Sequence, residues 1–172
     1  ELQSRKLRAM LDAVIPANPF WTRKLAAAGV EPASIRGVED LARLPLTTKQ
    51  EIVDDQRRTP PYGTNLTYPQ ERYTRLHHTS GTTGEGLRWL DTPESWDWLA
   101  RCWEIIYEAA GLRRGDRLLF AFSFGPFIGF WAAFESAQRL GYFCLSGGGM
   151  SSTARLAALR EHGITVLLCT PT

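Results

Sequence analysis

The chain has 172 residues, of which 44% are hydrophobic and 22% are charged, and its formal net charge at pH 7 is +2. These values are typical of a globular protein with a core of its own. The small net charge argues against electrostatic binding of nucleic acid, which needs many basic residues on one face.

Cysteine content and apolar segments bear on the cellular compartment. Cys102, Cys144 and Cys169 are odd in number and form no C-x-x-C pair, so neither a disulfide framework nor a zinc site is indicated. Each lies in an apolar run and is predicted to be a small buried side chain in a reducing compartment. Residues 118–134 are apolar but interrupted by glycine and proline, which argues against a membrane span. We expect a cytoplasmic protein without a membrane partner.

The first sixty residues predict short helices separated by proline and glycine. The predicted helices are residues 5–14, 19–28 and 38–43, and one that Thr47 or Thr48 caps and that runs through residue 54. Apolar residues are sparse here, so we expect a helical segment, 1–60, that lies against something larger and has no self-sufficient core.

Beyond Pro60-Pro61 the pattern changes to alternating strands and helices. The predicted strands are residues 72–77, 117–122, 142–145 and 164–169, and the predicted helices are residues 92–111, 127–134 and 152–161. Short strands that are apolar throughout and alternate with helices predict a mainly parallel sheet covered by helices. The fold class is therefore α/β, with residues 61–172 as the first part of an α/β domain.

The last predicted strand runs directly into Thr170-Pro171-Thr172. Ligands of open parallel sheets bind at the carboxyl ends of the strands, so a functional segment is expected to follow. We therefore expect this sequence to be the first part of a longer protein.

The most informative motif is the six-residue run Thr79-Ser80-Gly81-Thr82-Thr83-Gly84. Its glycines allow backbone amides to approach an anion, and its hydroxyls add donors for phosphoryl oxygens. A Walker loop and a dinucleotide fingerprint are both excluded, because the residues after Gly86 are Leu87 and Arg88. An ordinary polar turn has the same composition and stays open as the alternative.

Taken with its surroundings, this motif resembles the phenylacetate–coenzyme A ligase branch of the adenylate-forming enzymes. The six residues match the phosphate loop of that family. Other similar blocks follow in the family's order along nearly the whole chain: residues 18–21, 25–30, 35–49, 110–116, 122–127 and 146–148.

The resemblance implies a two-step reaction with ATP, Mg²⁺ and coenzyme A as cofactors. An aryl carboxylate would attack the α-phosphate of ATP, and the coenzyme A thiol would then displace AMP. Thr79 to Gly84 would bind the phosphates. The remainder of the ligase polypeptide would supply the magnesium-binding acid, the ribose-binding aspartate, the hinge and a lysine on a small mobile domain, so the 172 residues alone are expected to be inactive.

The sequence departs from the family directly after the loop. Many relatives continue with proline and lysine, whereas this chain continues Glu85-Gly86-Leu87-Arg88. Arg88 either supplies the positive charge that the lysine supplies in those relatives or faces solvent, and both alternatives stay open. Glu85 would repel a phosphate unless it points away.

The resemblance also places an acyl pocket in the second half of the chain. Its candidate residues are Phe122, Phe124, Gly125, Phe127, Gly147 and Gly148. Phe124 is the first choice because it follows a strand, whereas Phe122 and Phe127 fit core packing equally well. The glycine run 147–149 allows close approach of a substrate or forms a turn, and the turn is favoured.

His77 and His78 alternate along one predicted strand, so only one of them can point inward. His78 adjoins the loop and is the candidate catalytic residue.

Two other functions remain open from the sequence. In the first, the enzyme transfers the acyl group to a carrier protein or another acceptor. In the second, the chain is a truncated relative that binds nucleotide without catalysis. A homodimer is also left open.

Overall fold

The computed structural model describes residues 1–79 and 86–170. Within it the chain forms two compact units, residues 1–90 and 91–172. The change of pattern after Pro60-Pro61 falls inside the first unit, and a domain boundary at that point stays a prediction.

The first unit contains three α-helices, α1 (Leu2–Val14), α2 (Pro19–Ala27) and α3 (Lys49–Arg58). Asn18 caps α2 by accepting a hydrogen bond from the backbone N–H of Trp21, and proline follows at the first helical position. Short 3₁₀ turns occupy Pro32–Ser34, Val38–Arg43 and Gln70–Arg72. Strands β1 (Arg75–His78) and β2 (Arg88–Asp91) form a two-stranded sheet.

The helical segment has a small core of its own, contrary to the prediction. Leu7 and Leu11 of α1 pack against Ile35, which is fully buried, and Val30 and Leu44 cover this group. The pattern hid the cluster because its members come from one helix and three connecting segments.

The ends of several predicted elements in this unit need correction. Of the two cap candidates, Thr48 caps α3, and that helix continues four residues beyond the predicted end at residue 54; α1 begins at Leu2 and not at residue 5. The predicted strand at 72–77 begins at Arg75, because residues 70–72 close a 3₁₀ turn first.

The second unit is a three-stranded parallel sheet with three helices. Its strands are β3 (Arg117–Phe120), β4 (Phe143–Ser146) and β5 (Val166–Leu168), in the order β4-β3-β5. Its helices are α4 (Pro93–Ala109), α5 (Ile128–Arg139) and α6 (Ser152–Glu161). The predicted α/β class with a parallel sheet is confirmed.

The core of this unit joins the central strand to two helices. Leu118 and Phe120 are fully buried and pack with Tyr107 of α4 and with Ala133 and Ala137 of α5. The Tyr107 hydroxyl donates a 2.6 Å hydrogen bond to the Ala133 carbonyl, and burial raises the pKa of this tyrosine above its ordinary value.

The sequence spacing predicts Phe127, Phe130, Trp131 and Phe134 as the buried face of α5, and this prediction was wrong in part. Its fully buried side chains are small, Ala132, Ala133, Ser136 and Ala137. Phe130 and Phe134 are half-buried beside them, and Trp131 is 37% exposed. Small residues let α5 approach its neighbours closely, so its aromatic rings lie at the margin of the contact.

Cys102 and Cys144 are half-buried, and burial raises the pKa of the Cys144 thiol to about 11. Cys169 is exposed, contrary to the prediction, because it lies just beyond the end of β5.

Candidate functional site

The predicted phosphate loop begins at the end of β1 and returns to β2. Ser80, Gly81, Thr82, Thr83, Gly84 and Glu85 lie outside the described residues. Thr79 is described: its backbone N–H donates to the Leu87 carbonyl at 3.0 Å, and its hydroxyl oxygen accepts from the Leu87 N–H at 2.9 Å. These two bonds close the neck of the loop. The Thr79 hydroxyl keeps its own proton available as a donor.

The close approach of the two chain ends at this neck requires glycine at position 86. A Cβ added at Gly86 would lie 2.6 Å from the Thr79 carbonyl oxygen, a distance that side-chain carbons do not adopt against rigid backbone. The two chain ends of the loop therefore approach more closely than any other residue would allow.

Burial shows which of the two histidines of β1 points inward. His77 is 5% exposed and is the one that points inward, whereas His78 is half-buried and leads directly into Thr79. A catalytic role for His78 stays a prediction.

Arg88 is the first residue of β2, and one nitrogen of its guanidinium group makes a hydrogen bond within the protein. Its Nη1 donates to the Pro61 carbonyl at 3.2 Å, and the residue is half-buried. Its backbone is also held, because the side-chain amide of Gln56 donates to the Arg88 carbonyl at 2.6 Å and accepts from the Arg88 N–H at 3.1 Å. The buried Gln56 thus pairs with the edge of β2 as a neighbouring strand would.

The carboxyl ends of β3, β4 and β5 are level. Phe120 is in register with Ser146 on one side and with Leu168 on the other. The segments after these strands, residues 121–127, 147–149 and 169–170, therefore leave the sheet at one edge. All the predicted acyl-pocket residues belong to these segments, which is where parallel sheets bind ligands.

The three predicted phenylalanines have different surroundings. Phe122 stacks on Phe130 with ring centroids 4.1 Å apart, and it borders a cavity of about 400 Å³ that Trp103 and Leu168 also line. Phe124 packs among four rings, those of Phe120, Phe122, Trp131 and Phe134. Phe127 precedes α5 and meets Phe130 edge-on. Of the three, only Phe122 lines this cavity.

The local backbone structure explains why glycine occupies the predicted pocket positions 125, 147 and 148. Gly125 has φ +50°, and its carbonyl accepts a hydrogen bond from the Trp131 indole at 2.8 Å. Gly147 is buried and donates to the Phe120 carbonyl at 2.8 Å, and a Cβ there would lie 3.1 Å from the same oxygen. Gly148 is exposed beside the Phe122 carbonyl, and Gly149 has φ +75°. This geometry is that of a turn packed on β3; substrate contact stays a prediction.

Sequence reasoning missed three buried polar residues, Asn18, Gln56 and Asp91, that hold local structure in place. Asn18 was assigned only to a family block, although asparagine before proline is a capping signal. Gln56 and Asp91 gave no signal, because one polar residue in a polar helix or at a strand end is common. Asp91 is 4% exposed; its Oδ1 accepts from the Ser95 hydroxyl, and its Oδ2 has no hydrogen-bond partner among the described residues.

Over residues 1–79 and 86–170, no group of three or more His, Cys, Asp or Glu side chains is arranged to hold a metal ion. Over the same ranges, none of the helices has both the length and the apolar character needed to cross a bilayer.

Comparison with known proteins gives a consistent result. No family profile matches the chain. The phenylacetate-coenzyme A ligase of Escherichia coli is 33% identical over 99% of this chain, and that of Thermus thermophilus is 31% identical over 99%. The chain spans 38% and 37% of the lengths of these two relatives.

Solved structures agree with the sequence relatives. An open conformation of 2-hydroxyisobutyryl-CoA ligase, solved with 2-HIB-AMP and CoA, matches 98% of this chain with a TM-score of 0.88 and 26% identity. The same ligase in its thioesterification state matches 94% with a TM-score of 0.84 and 27% identity. The chain spans 36% and 35% of these two structures. The resemblance inferred from the sequence is confirmed: the chain is homologous to part of the phenylacetate–CoA ligase-like adenylate-forming enzymes.

Proposed function

We propose that this chain is the phosphate-loop portion of an AMP-forming ligase that converts an aromatic carboxylic acid into its coenzyme A thioester. One observation carries the proposal: nearly the entire chain aligns in sequence with phenylacetate-coenzyme A ligases and in structure with a ligase solved with an acyl-adenylate and CoA. The chain covers little more than a third of these proteins, so the rest of the machinery is assigned to the remainder of the polypeptide.

The reaction has two displacements. A carboxylate oxygen of the acid forms a bond to the α-phosphorus of ATP, and the bond from that phosphorus to pyrophosphate breaks. The thiol of coenzyme A then adds to the acyl carbon with loss of its proton, and the bond to AMP breaks. The first displacement depends on stabilising the charge that gathers on pyrophosphate.

Thr79 and its successors to Gly84 supply that stabilisation. Hydroxyl and backbone donors would face the phosphoryl oxygens, and a hydrogen bond to a charged oxygen is worth about 1.5–3 kcal/mol. The closed neck between Thr79 and Leu87 supports this assignment, because it anchors both ends of the loop on the β1–β2 sheet.

Mg²⁺ belongs to the proposal through the chemistry of ATP. The ion would neutralise the phosphates and would be held chiefly by their oxygens. The described residues offer no acidic cluster for it. The family resemblance assigns the magnesium-binding acid to the remainder of the polypeptide.

The aromatic acid is assigned to the carboxyl edge of the parallel sheet. Phe122, Phe124 and Phe127 with Gly125, Gly147 and Gly148 surround this edge, and flat rings favour a flat substrate. The use of ATP and coenzyme A suits a cytoplasmic location.

Pyrophosphate exchange tests the function in the protein at its full natural length. We expect exchange with aryl acids and much less with long aliphatic acids, followed by thioester formation with coenzyme A in preference to carrier-protein acceptors. The double variant Thr82→Ala/Thr83→Ala should lower kcat/KM for ATP by about a hundredfold or more, since it removes two hydrogen bonds to charged oxygens.

Thr153→Ala is the matched control, because Thr153 is exposed on α6, away from the loop in sequence. Absence of exchange with every acid, or a double variant that behaves like Thr153→Ala, would contradict the proposal.

A further inference from the structure

A second cavity lies wholly within residues 1–90 and has no part in the proposed function. Its volume is about 420 Å³, within the range of small-molecule sites. It is lined by residues from the ends of α1, α2 and α3, from the segment 62–73 and from β2.

Hydrogen bonds fix the walls of this cavity. Asn18 is 3% exposed, and its Nδ2 donates to Asn65 Oδ1 and to Thr67 Oγ1, both at 3.1 Å. The Tyr73 hydroxyl oxygen accepts from the backbone N–H groups of Thr67 and Tyr68. The cavity is therefore preformed, and a ligand would bind without first ordering its walls.

The lining has an apolar and a cationic part. Four aromatic side chains, Trp21, Tyr62, Tyr73 and Trp89, present flat surfaces. Lys49 and Arg88 supply positive charge, and no aspartate or glutamate is found in the lining that the structure describes. Rings with two cations and no acid favour an anion that carries an aromatic body.

One buried polar atom points to the anionic group. Thr47 is one of the lining residues, and its hydroxyl oxygen is buried beside the cavity without a hydrogen-bond partner in the described part of the chain. Buried polar groups are almost always satisfied, and a small rotation of this side chain would let its hydroxyl donate to a carboxylate bound in the cavity, which Lys49 also lines.

We propose that this cavity binds an aromatic carboxylate of one or two rings, with Thr47 and Lys49 holding the carboxylate and the aromatic residues holding the ring. None of its lining residues belongs to the acyl pocket proposed at the sheet edge of residues 91–172. The site would let the protein sense the acids that it activates, and in that respect it rests on the proposed function.

Crystals of the full-length protein soaked with 4-bromophenylacetate test the site, because anomalous scattering locates the bromine. We expect bromine in the cavity of residues 1–90, and calorimetry should show a binding event that the neutral alcohol 2-(4-bromophenyl)ethanol lacks. Thr47→Val and Lys49→Met should each weaken that event about tenfold, as loss of a hydrogen bond to a charged group predicts. Thr153→Val is the matched control and should bind like the unaltered protein.

Bromine found only elsewhere, or equal affinity of Thr47→Val and the unaltered protein, would overturn the proposal. Equal binding of the alcohol would also overturn it. Pyrophosphate exchange is measured separately: its failure would count against the ligase function, whereas binding at the cavity would stand.

Discussion

Glu51 combines two roles at the start of α3. Its carboxylate accepts the backbone N–H of Thr48 while the Thr48 hydroxyl accepts the N–H of Glu51, which is a capping box. It also pairs with Lys24 of α2. The hydrogen bond from Lys24, and next that from the Thr48 backbone, lower the pKa of Glu51 from 4.5 to about 2.

This shift predicts a specific loss of stability in acid. A carboxyl whose pKa is lower in the folded chain stabilises the fold above its ordinary pKa and loses that effect as pH falls through the folded value. The contribution of Glu51 should therefore be complete above about pH 4.5 and fade towards pH 2. Urea unfolding between about pH 6 and pH 2 should show a shallower pH dependence for Glu51→Gln, which keeps an acceptor for the cap but has no charge.

Glu161→Gln is the control, since Glu161 is exposed at the last position of α6. If Glu51→Gln and Glu161→Gln follow the same pH curve, the pairing with Lys24 and Thr48 does not stabilise the fold.

At the residue scale, the features that could be predicted from the sequence are those that depend only on neighbours in the chain. The proline at the start of α2 was predictable because its effect is local, whereas the need for glycine at position 86 was not, because it arises from the approach of Thr79. The burial of His77 over His78 was not predictable either, because which face of a strand points inward depends on what packs against it.

Among the elements, β2 depends on a side chain from a helix. Gln56 of α3 bonds both backbone groups of Arg88 and so takes the place of a neighbouring strand there. This attachment fixes the strand that follows the proposed phosphate loop.

Removing that amide should destabilise the protein markedly. Gln56→Ala leaves the N–H and the carbonyl of Arg88 without these partners, at a cost of about 2–4 kcal/mol for two partly buried groups. Gln50→Ala is the matched control: Gln50 lies on the same helix but is exposed, and its side-chain amide donates to Asp54 one turn away, so its loss should cost less than about 0.5 kcal/mol. Equilibrium unfolding in urea measures both. A Gln56→Ala variant as stable as Gln50→Ala would show that the attachment of β2 is dispensable.

Periodicity predicted the existence and type of these elements better than their ends. The parallel strands and helices of the second unit were predicted in the right order, because apolar runs alternate with capped helices. Two of the strands were predicted too long: β3 ends at Phe120 and not at residue 122, and β5 covers only Val166–Leu168 of the predicted 164–169. Apolar residues continue past the last strand pairing, and pairing is a tertiary property.

For the whole molecule, two units with separate cores imply two levels of stability. The second unit centres on β3, which is paired on both sides and whose Leu118, Leu119 and Phe120 are fully buried. The core of the first unit is Leu7, Leu11 and Ile35, drawn from a helix and a connecting segment. The sequence did not predict this division, because contacts between distant segments create both cores.

Hydrogen exchange should resolve these levels. Amides open with free energies that follow local burial and pairing, so the slowest exchange should be in Arg117–Phe120 of β3. The 3₁₀ turn Val38–Arg43, which has no buried residue, should exchange among the fastest of the hydrogen-bonded segments. Exchange followed by mass spectrometry on the full-length protein measures both segments in one experiment. Equal protection of these two segments would mean that the buried strand adds no stability over an exposed turn, and the assignment of the molecule's main core to β3 would have to be abandoned.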